Sequence, residues 1–246
     1  MKIILCGAGG RMGQVCCDII AEGFGGASLA AAVDIQRPSL DCPCYTSLSE
    51  VTEEADILID FSHHSATDSL LAFAKERHMP IVIATTGQTE EEKEMIKAAS
   101  AEIPVFFSGN MSIGIALLIS LAKKATSVFP DADVEILEVH HNRKLDVPSG
   151  TALMIAEGIR AARGTGELCI GRHENGKRHE GEIGIHSMRL GNVVGEHEIR
   201  INTGTQTITL KHEAHSRALF AEGALSAATF LCEQKNGLWN VNDLFG

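Results

Sequence analysis

The chain lacks an excess of positive charge: 21 Lys and Arg stand against 32 Asp and Glu, a formal net charge of −11. That balance excludes a broad nucleic-acid or anionic-membrane surface, so an anionic ligand has to be held by a local basic site. The chain also lacks a disulfide framework. Its seven cysteines are an odd number, and Cys6, Cys16, Cys17 and Cys232 fall inside apolar patterns, where a free thiol acts as a small hydrophobe. A reducing, cytoplasmic location is expected. Cys42-Pro-Cys44 has no second matching pair and reads as a loop, so no metal is expected there. Long apolar runs are missing too. The longest, residues 113–122, is interrupted by Ser120 and too short to span a bilayer. The run after Met1 meets glycines too early for a secretory signal. No repeat or low-complexity tract is visible.

What is present is an alternation of short apolar runs and amphipathic stretches. With 246 residues, 44% apolar and 22% charged, the chain has length for one large or two small domains. Residues 2–6 read as a strand ending in Gly7-Ala-Gly-Gly-Arg-Met-Gly13, and residues 14–21 as a helix. Gly7, Gly10 and Gly13 make a G-x-x-G-x-x-G variant of the dinucleotide fingerprint. Its physics is a tight turn, a close backbone approach to a pyrophosphate, and a helix start aimed at it. A second strand, 28–33, ends in Asp34, placed to read ribose hydroxyls. Asp34 favours the free 2′-hydroxyl of NADH, although Arg37 or Arg11 could meet the 2′-phosphate of NADPH. NADH is therefore expected to serve at least as well.

The alternation continues through strands 57–61, 81–84 and 104–107 and helices 65–77 and 89–100. Ser65 with Asp68 and Thr89 with Glu92 are expected capping pairs. Near-continuous apolar strands separated by helices predict a Rossmann-like parallel sheet. Ligands of such sheets sit beyond the strand C-termini. Loops containing Phe61, Thr85-Thr86-Gly87 and Ser108-Gly109-Asn110-Met111 arrive there, and His63-His64 reads as a polar loop rather than half a metal site. A helix over 113–128 leads into a second, smaller α+β domain. Its β runs 183–189, 194–201 and 205–212 alternate polar and apolar residues, as a mixed or antiparallel sheet with one covered face does. Asn202-Thr203-Gly204 marks a hairpin. Residues 163–181 read as a mobile loop, and helix 217–233 is expected to return to the first domain with a short tail holding Trp239 and Leu244. The expected division is a dinucleotide-binding domain from 1–111 and 217–246 and a substrate-binding and oligomerisation domain from 112–216.

Within this acidic chain one stretch is basic: His140, His141, Arg143 and Lys144 fall within five residues, after a predicted strand 133–139. Pro148-Ser149-Gly150-Thr151 then starts a predicted helix, 152–161. The first amides of a helix have no internal partner and lie at its positive end. With Lys144 beside them, Ser149, Gly150 and Thr151 form a ready site for a carboxylate or phosphate. Taken singly, the stretch is equally compatible with a solvated strand end and an ordinary helix cap.

Taken together, Gly7 to Gly13, Ala84-Thr85-Thr86-Gly87, the run from Glu138 to Ala152, and Gly184 to Gly191 leading to Val194-Gly195-Glu196-His197 resemble the 4-hydroxy-tetrahydrodipicolinate reductase family over essentially the whole chain. The resemblance implies hydride transfer from NADH or NADPH to a small cyclic dicarboxylate in the diaminopimelate route to lysine, followed by protonation. It implies His140 as general acid, Lys144 as substrate ligand and proton donor, and His141 as a further substrate contact. Gly7, Gly10, Arg11, Met12, Gly13, Asp34, Phe61, Thr85, Thr86, Gly87, Ser108, Asn110 and Met111 would hold the cofactor. A homotetramer assembled through the second domain's sheet is also implied, and closure of the two domains is expected because the cofactor and substrate sites lie on different domains. Here Asp34-Ile35 replaces the acid–basic pair some members carry, which leaves the NADH preference a lean. Another two-domain NAD(P)-dependent oxidoreductase, or a dinucleotide-binding regulator without catalysis, would keep the glycine turn but not the His-His-x-x-Lys run.

Overall fold

The computed structural model describes residues 1–245. The chain divides into two units, Met1–Ile113 with the segment from Arg217 onward, and Gly114–Ser216.

The first unit is a seven-stranded sheet. In chain order come β1 (Lys2–Cys6), α1 (Arg11–Ala21), β2 (Ser28–Val33), β3 (Cys44–Tyr45), β4 (Ile57–Asp60), α2 (Thr67–Glu76), β5 (Ile81–Ile83), α3 (Glu90–Ala99) and β6 (Pro104–Phe107). The strands run β12-β6-β5-β4-β1-β2-β3, all paired in parallel, where β12 is Gly237–Trp239 near the end of the chain. Strands covered on both faces must be apolar throughout, and β4 and β5 are fully buried along their length. Leu70, Leu71, Phe73 and Ala74 of α2 and Ile96 and Ala99 of α3 pack on one face. The strand order reverses between β1 and β4, the position at which such sheets open a ligand crevice.

The second unit contains most of α4 (Ile113–Val128), then β7 (Asp133–His140), α5 (Gly150–Arg163), β8 (Leu168–Ile170), β9 (Ile183–Arg189), β10 (Gly195–Asn202) and β11 (Thr207–Ala214). Its sheet runs β11-β10-β7-β9-β8 and is mixed: β10 is antiparallel to β7 and β11, while β7, β9 and β8 are parallel. The covered face is built in rows across the strands. Ile208, Ile201, Val134 and Ile183 form one row, and Leu210, Ile199, Ile136 and Ile185 the next. These apolar rows pack against Ile115, Leu118, Ala152, Ile155 and Ile159 of the helices. The following row is polar: His212, His197, Glu138 and Ser187. The face thus changes from core to polar site along its length.

Several local expectations are corrected. Trp239, expected in a short tail, ends β12, and its ring stands edge-on to Phe230 at 5.6 Å, while Phe230 meets Phe106 at 6.5 Å. Residues 163–181 are not simply a loop. They contain β8, and Arg172 and Arg178 pair with Glu182, Asp133 and Glu135. Cys44 opens an edge strand, and Cys232 is exposed. The Ser65–Asp68 cap does not form. His63 takes that place, its ring nitrogen accepting from the Ser65 amide, and α2 begins two residues later than Ser65 without a side-chain cap. The Thr89–Glu92 capping box forms as expected. Asn202 Oδ1 accepts from the Gly204 amide at 2.7 Å and closes the turn between β10 and β11.

The helix over 217–233 is α6 (Ala218–Leu231), and it packs on α1 and on β4, β5 and β6. Its small residues let it come close: a Cβ at Gly223 would stand 1.9 Å from the Met111 carbonyl oxygen. Among the described residues, no helix is long and apolar enough to cross a membrane.

Candidate functional site

In the first unit the glycine turn is set by close backbone contact. Gly7 has φ +74°, and a Cβ there would lie 2.5 Å from the Phe61 carbonyl. A Cβ at Gly13 would lie 2.0 Å from the Gly7 oxygen, so Gly13 acts inside the packing of α1 on β1. Gly10 precedes α1 without a side-chain cap, which leaves the helix start for an outside acceptor. Asp34 follows β2, and its carboxylate accepts from the Gly9 amide at 2.9 Å and the Gln36 amide at 3.2 Å.

Two cavities lie along these strand ends. The larger, about 620 Å³, is walled by Gly7, Gly10, Asp34 and Phe61, and also by Ser47, Leu48, Ser62, Ser69 and Phe73. The smaller, about 330 Å³, is lined by Arg11, Met12, Phe61, Thr86, Asn110 and Met111, and by Arg217 and Phe220. Beneath Phe61, Asp60 is buried, which raises its carboxyl pKa; it accepts from the Ser62 amide and hydroxyl at 2.8 and 2.5 Å. Thr85, Gly87 and Ser108 are not among the lining residues of either cavity. Thr85 accepts through its carbonyl from Gln88, Ser108 donates to the Asn110 carbonyl at 2.9 Å, and Gly87 takes φ +93° beside His64. Arg217 and Phe220 went unnoticed in the sequence because they lie 106 or more positions beyond Met111, with no local motif. So did the wall from Ser47 to Ser49, which has ordinary turn composition.

In the second unit the basic stretch surrounds a buried carboxylate. Glu138 is fully buried in β7. It accepts from His140 Nδ1 at 2.5 Å, from both terminal nitrogens of Arg189 at 2.9 and 3.0 Å, and from the Ser149 amide at 3.1 Å. Burial pushes its pKa up, but the bonds from His140 and Arg189 outweigh burial and bring it down to about 2. Glu138 is therefore ionised and can only accept. His140 is 8% exposed, and its other nitrogen lies where a Cβ at Gly195 would be 3.1 Å away.

Ser149 is buried and precedes α5; its hydroxyl accepts from the Ala152 amide at 3.2 Å and bonds His197 Nε2 at 3.2 Å. The His197 ring stands edge-on to His140 at 5.3 Å. Burial, followed by the positive field of His140, lowers the His197 pKa to about 3. Gly150 and Thr151 are the first residues of α5, and His141 is half-buried just past β7. Lys144 pairs with Asp146 at 2.9 Å. Arg189 also donates to the Asp146 carbonyl at 2.7 Å, joining the Lys144 loop to the buried carboxylate. The structure thus gathers His140 and Ser149 directly around Glu138. Glu138, Arg189 and His197 fall in stretches that carry the family resemblance but were missed as site members, because pairs 51 and 48 residues apart in sequence leave no local sign of their pairing. Among the described residues, no group of three or more His, Cys, Asp or Glu could hold a metal ion.

Two family models match nearly the whole chain: "Dihydrodipicolinate reductase, N-terminus" over residues 1–111 and "Dihydrodipicolinate reductase, C-terminus" over residues 114–245. The chain is 46% identical to the 4-hydroxy-tetrahydrodipicolinate reductase of Caldanaerobacter subterraneus subsp. tengcongensis over 248 residues, 99% of this chain and 98% of that one. It is 39% identical to the enzyme of the same name from Clostridium novyi, over 99% of this chain and 97% of that one. A solved structure, dipicolinate-bound dihydrodipicolinate reductase from Paenisporosarcina sp. TG-14, superposes with a TM-score of 0.84 at 25% identity, covering 99% of this chain and 98% of that chain.

Proposed function

Because the chain belongs to the dihydrodipicolinate reductase family, we propose that it reduces 4-hydroxy-tetrahydrodipicolinate to tetrahydrodipicolinate with NADH or NADPH, in the diaminopimelate route to lysine. Loss of water from the 4-hydroxy compound gives a conjugated C=C–C=N unit, and saturating one of its bonds takes one hydride and one proton. When bound, the nicotinamide supplies the hydride. The first unit fits such a cofactor: the backbone contacts at Gly7 and Gly13 and the open start of α1 make a cradle for a pyrophosphate.

The residues of this chain supply the rest. Arg11, Met12, Thr86, Asn110 and Met111, with Arg217 and Phe220, shape the smaller cavity for the nicotinamide half. Asp34, Ser47 and Phe73 shape the larger one for the adenosine half. The amides of Gly150 and Thr151 and the ammonium of Lys144 bind the substrate carboxylates, Lys144 exchanging Asp146 for one of them. His140 donates the proton. His141 is a further substrate contact. Ser149, whose hydroxyl is occupied, acts by fixing the start of α5.

The observation that carries this reading is the buried cluster of His140, Glu138 and Arg189, tied through Ser149 to the start of α5. An acidic protein that concentrates cations and a proton donor at one helix start is built for an anion that must be protonated. NADH is the preferred cofactor, because the lining of the larger cavity includes Asp34 and Glu76 and no Lys or Arg. The second unit's sheet joins copies into a homotetramer; the exposed apolar side chains of Met188 in β9 and of Leu190 just after it support this. A cytoplasmic setting fits the free thiols of Cys6, Cys16 and Cys17. The deciding experiment follows nicotinamide absorbance with the purified chain. Oxidation should occur with the cyclic substrate and not without it. No substrate-dependent oxidation of either cofactor would refute the proposal.

A further inference from the structure

Glu138 is the most deeply buried charge of the second unit, and the proton-donor reading of His140 does not by itself require it. We infer that Glu138, clamped by Arg189, is the positioning residue of the proton donor: it holds His140 with Nδ1 donating, so that the imidazolium gives up its proton only from Nε2 and is left as the neutral Nδ1–H form. The inference rests on the proposed role of His140 and adds which nitrogen acts and what fixes it.

Three observations carry it. First, the Glu138 oxygens accept four hydrogen bonds: one from His140 Nδ1, two from the terminal nitrogens of Arg189, and one from the Ser149 amide. A bidentate guanidinium fixes the carboxylate plane, which in turn fixes the imidazole plane. Second, Gly195 stands beside Nε2. A side chain there would begin 3.1 Å from that nitrogen, so the absence of one keeps Nε2 uncovered on that side. Third, the same carboxylate accepts from Ser149, the residue that starts α5. One buried group therefore sets both the proton donor and the helix start proposed to hold the substrate carboxylate. His197 seals the remaining side of the ring, edge-on at 5.3 Å, and bonds Ser149.

The charged and titratable groups of the cluster are Glu138 on β7, Arg189 on β9, His197 on β10, His212 on β11, and Lys144 with Asp146 in the loop after β7. A glutamine at 138 keeps the shape and removes the charge. It can donate to Nδ1 as readily as accept from it, so the tautomer is no longer imposed.

The test uses the full chain. Nitrogen-15 spectra of the wild-type protein, with His140 assigned from its missing signal in His140→Gln, should show neutral His140 as the Nδ1–H tautomer. The Nε2–H tautomer would overturn the inference without any variant. Glu138→Gln should lower kcat by about a hundredfold, the lower end of what a positioned general acid contributes, with NADH affinity unchanged. In a His140→Gln background it should cost no further rate, because Glu138 acts through that ring. Wild-type kcat in Glu138→Gln, or losses that multiply in the double variant, would overturn the inference while leaving His140 as the donor. Full turnover in His140→Gln would remove the donor itself and the inference with it. If Glu138→Gln fails to bind NADH, the wild-type tautomer decides alone.

Discussion

His197 gives the second unit a stability that acid should remove. Its ring is 4% exposed, and burial together with the positive charges of His140, His212 and Lys144 lowers its pKa from 6.5 to about 3, against the opposing pull of Glu138. The unfolded chain therefore takes up a proton in a window where the folded protein does not. The contribution is fully present above about pH 6.5 and falls as pH drops towards 3. At about 1.36 kcal/mol per pH unit, the loss between pH 6.5 and 5 is about 2 kcal/mol, and on the order of 5 kcal/mol over the whole gap. Glu138, lowered from 4.5 to about 2, contributes only as pH falls below about 4.5; His212, also lowered by burial, contributes in the upper window, so it is the comparison with a variant that isolates His197. Urea unfolding of wild type and His197→Gln across this range reads the difference. Wild type should lose about 2 kcal/mol more than the variant between pH 6.5 and 5. Parallel losses, matching within about 0.5 kcal/mol, would refute the reasoning.

Lys144→Ala should weaken pyridine-2,6-dicarboxylate binding about tenfold in calorimetry and also lower kcat, since it removes one charge-assisted contact; wild-type affinity would argue against a Lys144 anion pocket. Gly13→Ala should abolish NADH binding in fluorescence titration, because its methyl would stand 2.0 Å from the Gly7 oxygen; dicarboxylate binding, which belongs to the other unit, should persist. The ratio of kcat/KM for NADH over NADPH should be at least one, and a ratio strongly favouring NADPH would contradict the role given to Asp34 and to a cavity wall without Lys or Arg.

The parallel sheet was legible because its inner strands are short, mostly apolar runs that alternate with helical stretches. The box of Thr89 and Glu92 was legible because both partners lie within one turn. The short strands were not. β3, β8 and β12 have two or three residues each, too few for a period, and are strands only because a neighbour pairs with them. The basic stretch announced an anion site, yet its electrostatics lay elsewhere. Arg189 meets Glu138 from 51 positions away, and Lys144 is partnered by Asp146. His63 as the cap in place of Ser65 shows the same limit at short range, since either side chain suits the position and only the backbone chooses.

The return of α6 and β12 to the first unit bears on the order in which the molecule can be assembled. On a ribosome, the stretch Gly114–Ser216 emerges as one continuous piece and can close on itself early. The sheet begun at Lys2 must wait for its last edge strand, and for the helix bearing Phe220, until the residues beyond Ser216 have been made. Affinity for a dinucleotide should consequently be a late-acquired property of the nascent polypeptide, arising after the middle of the chain has taken its shape.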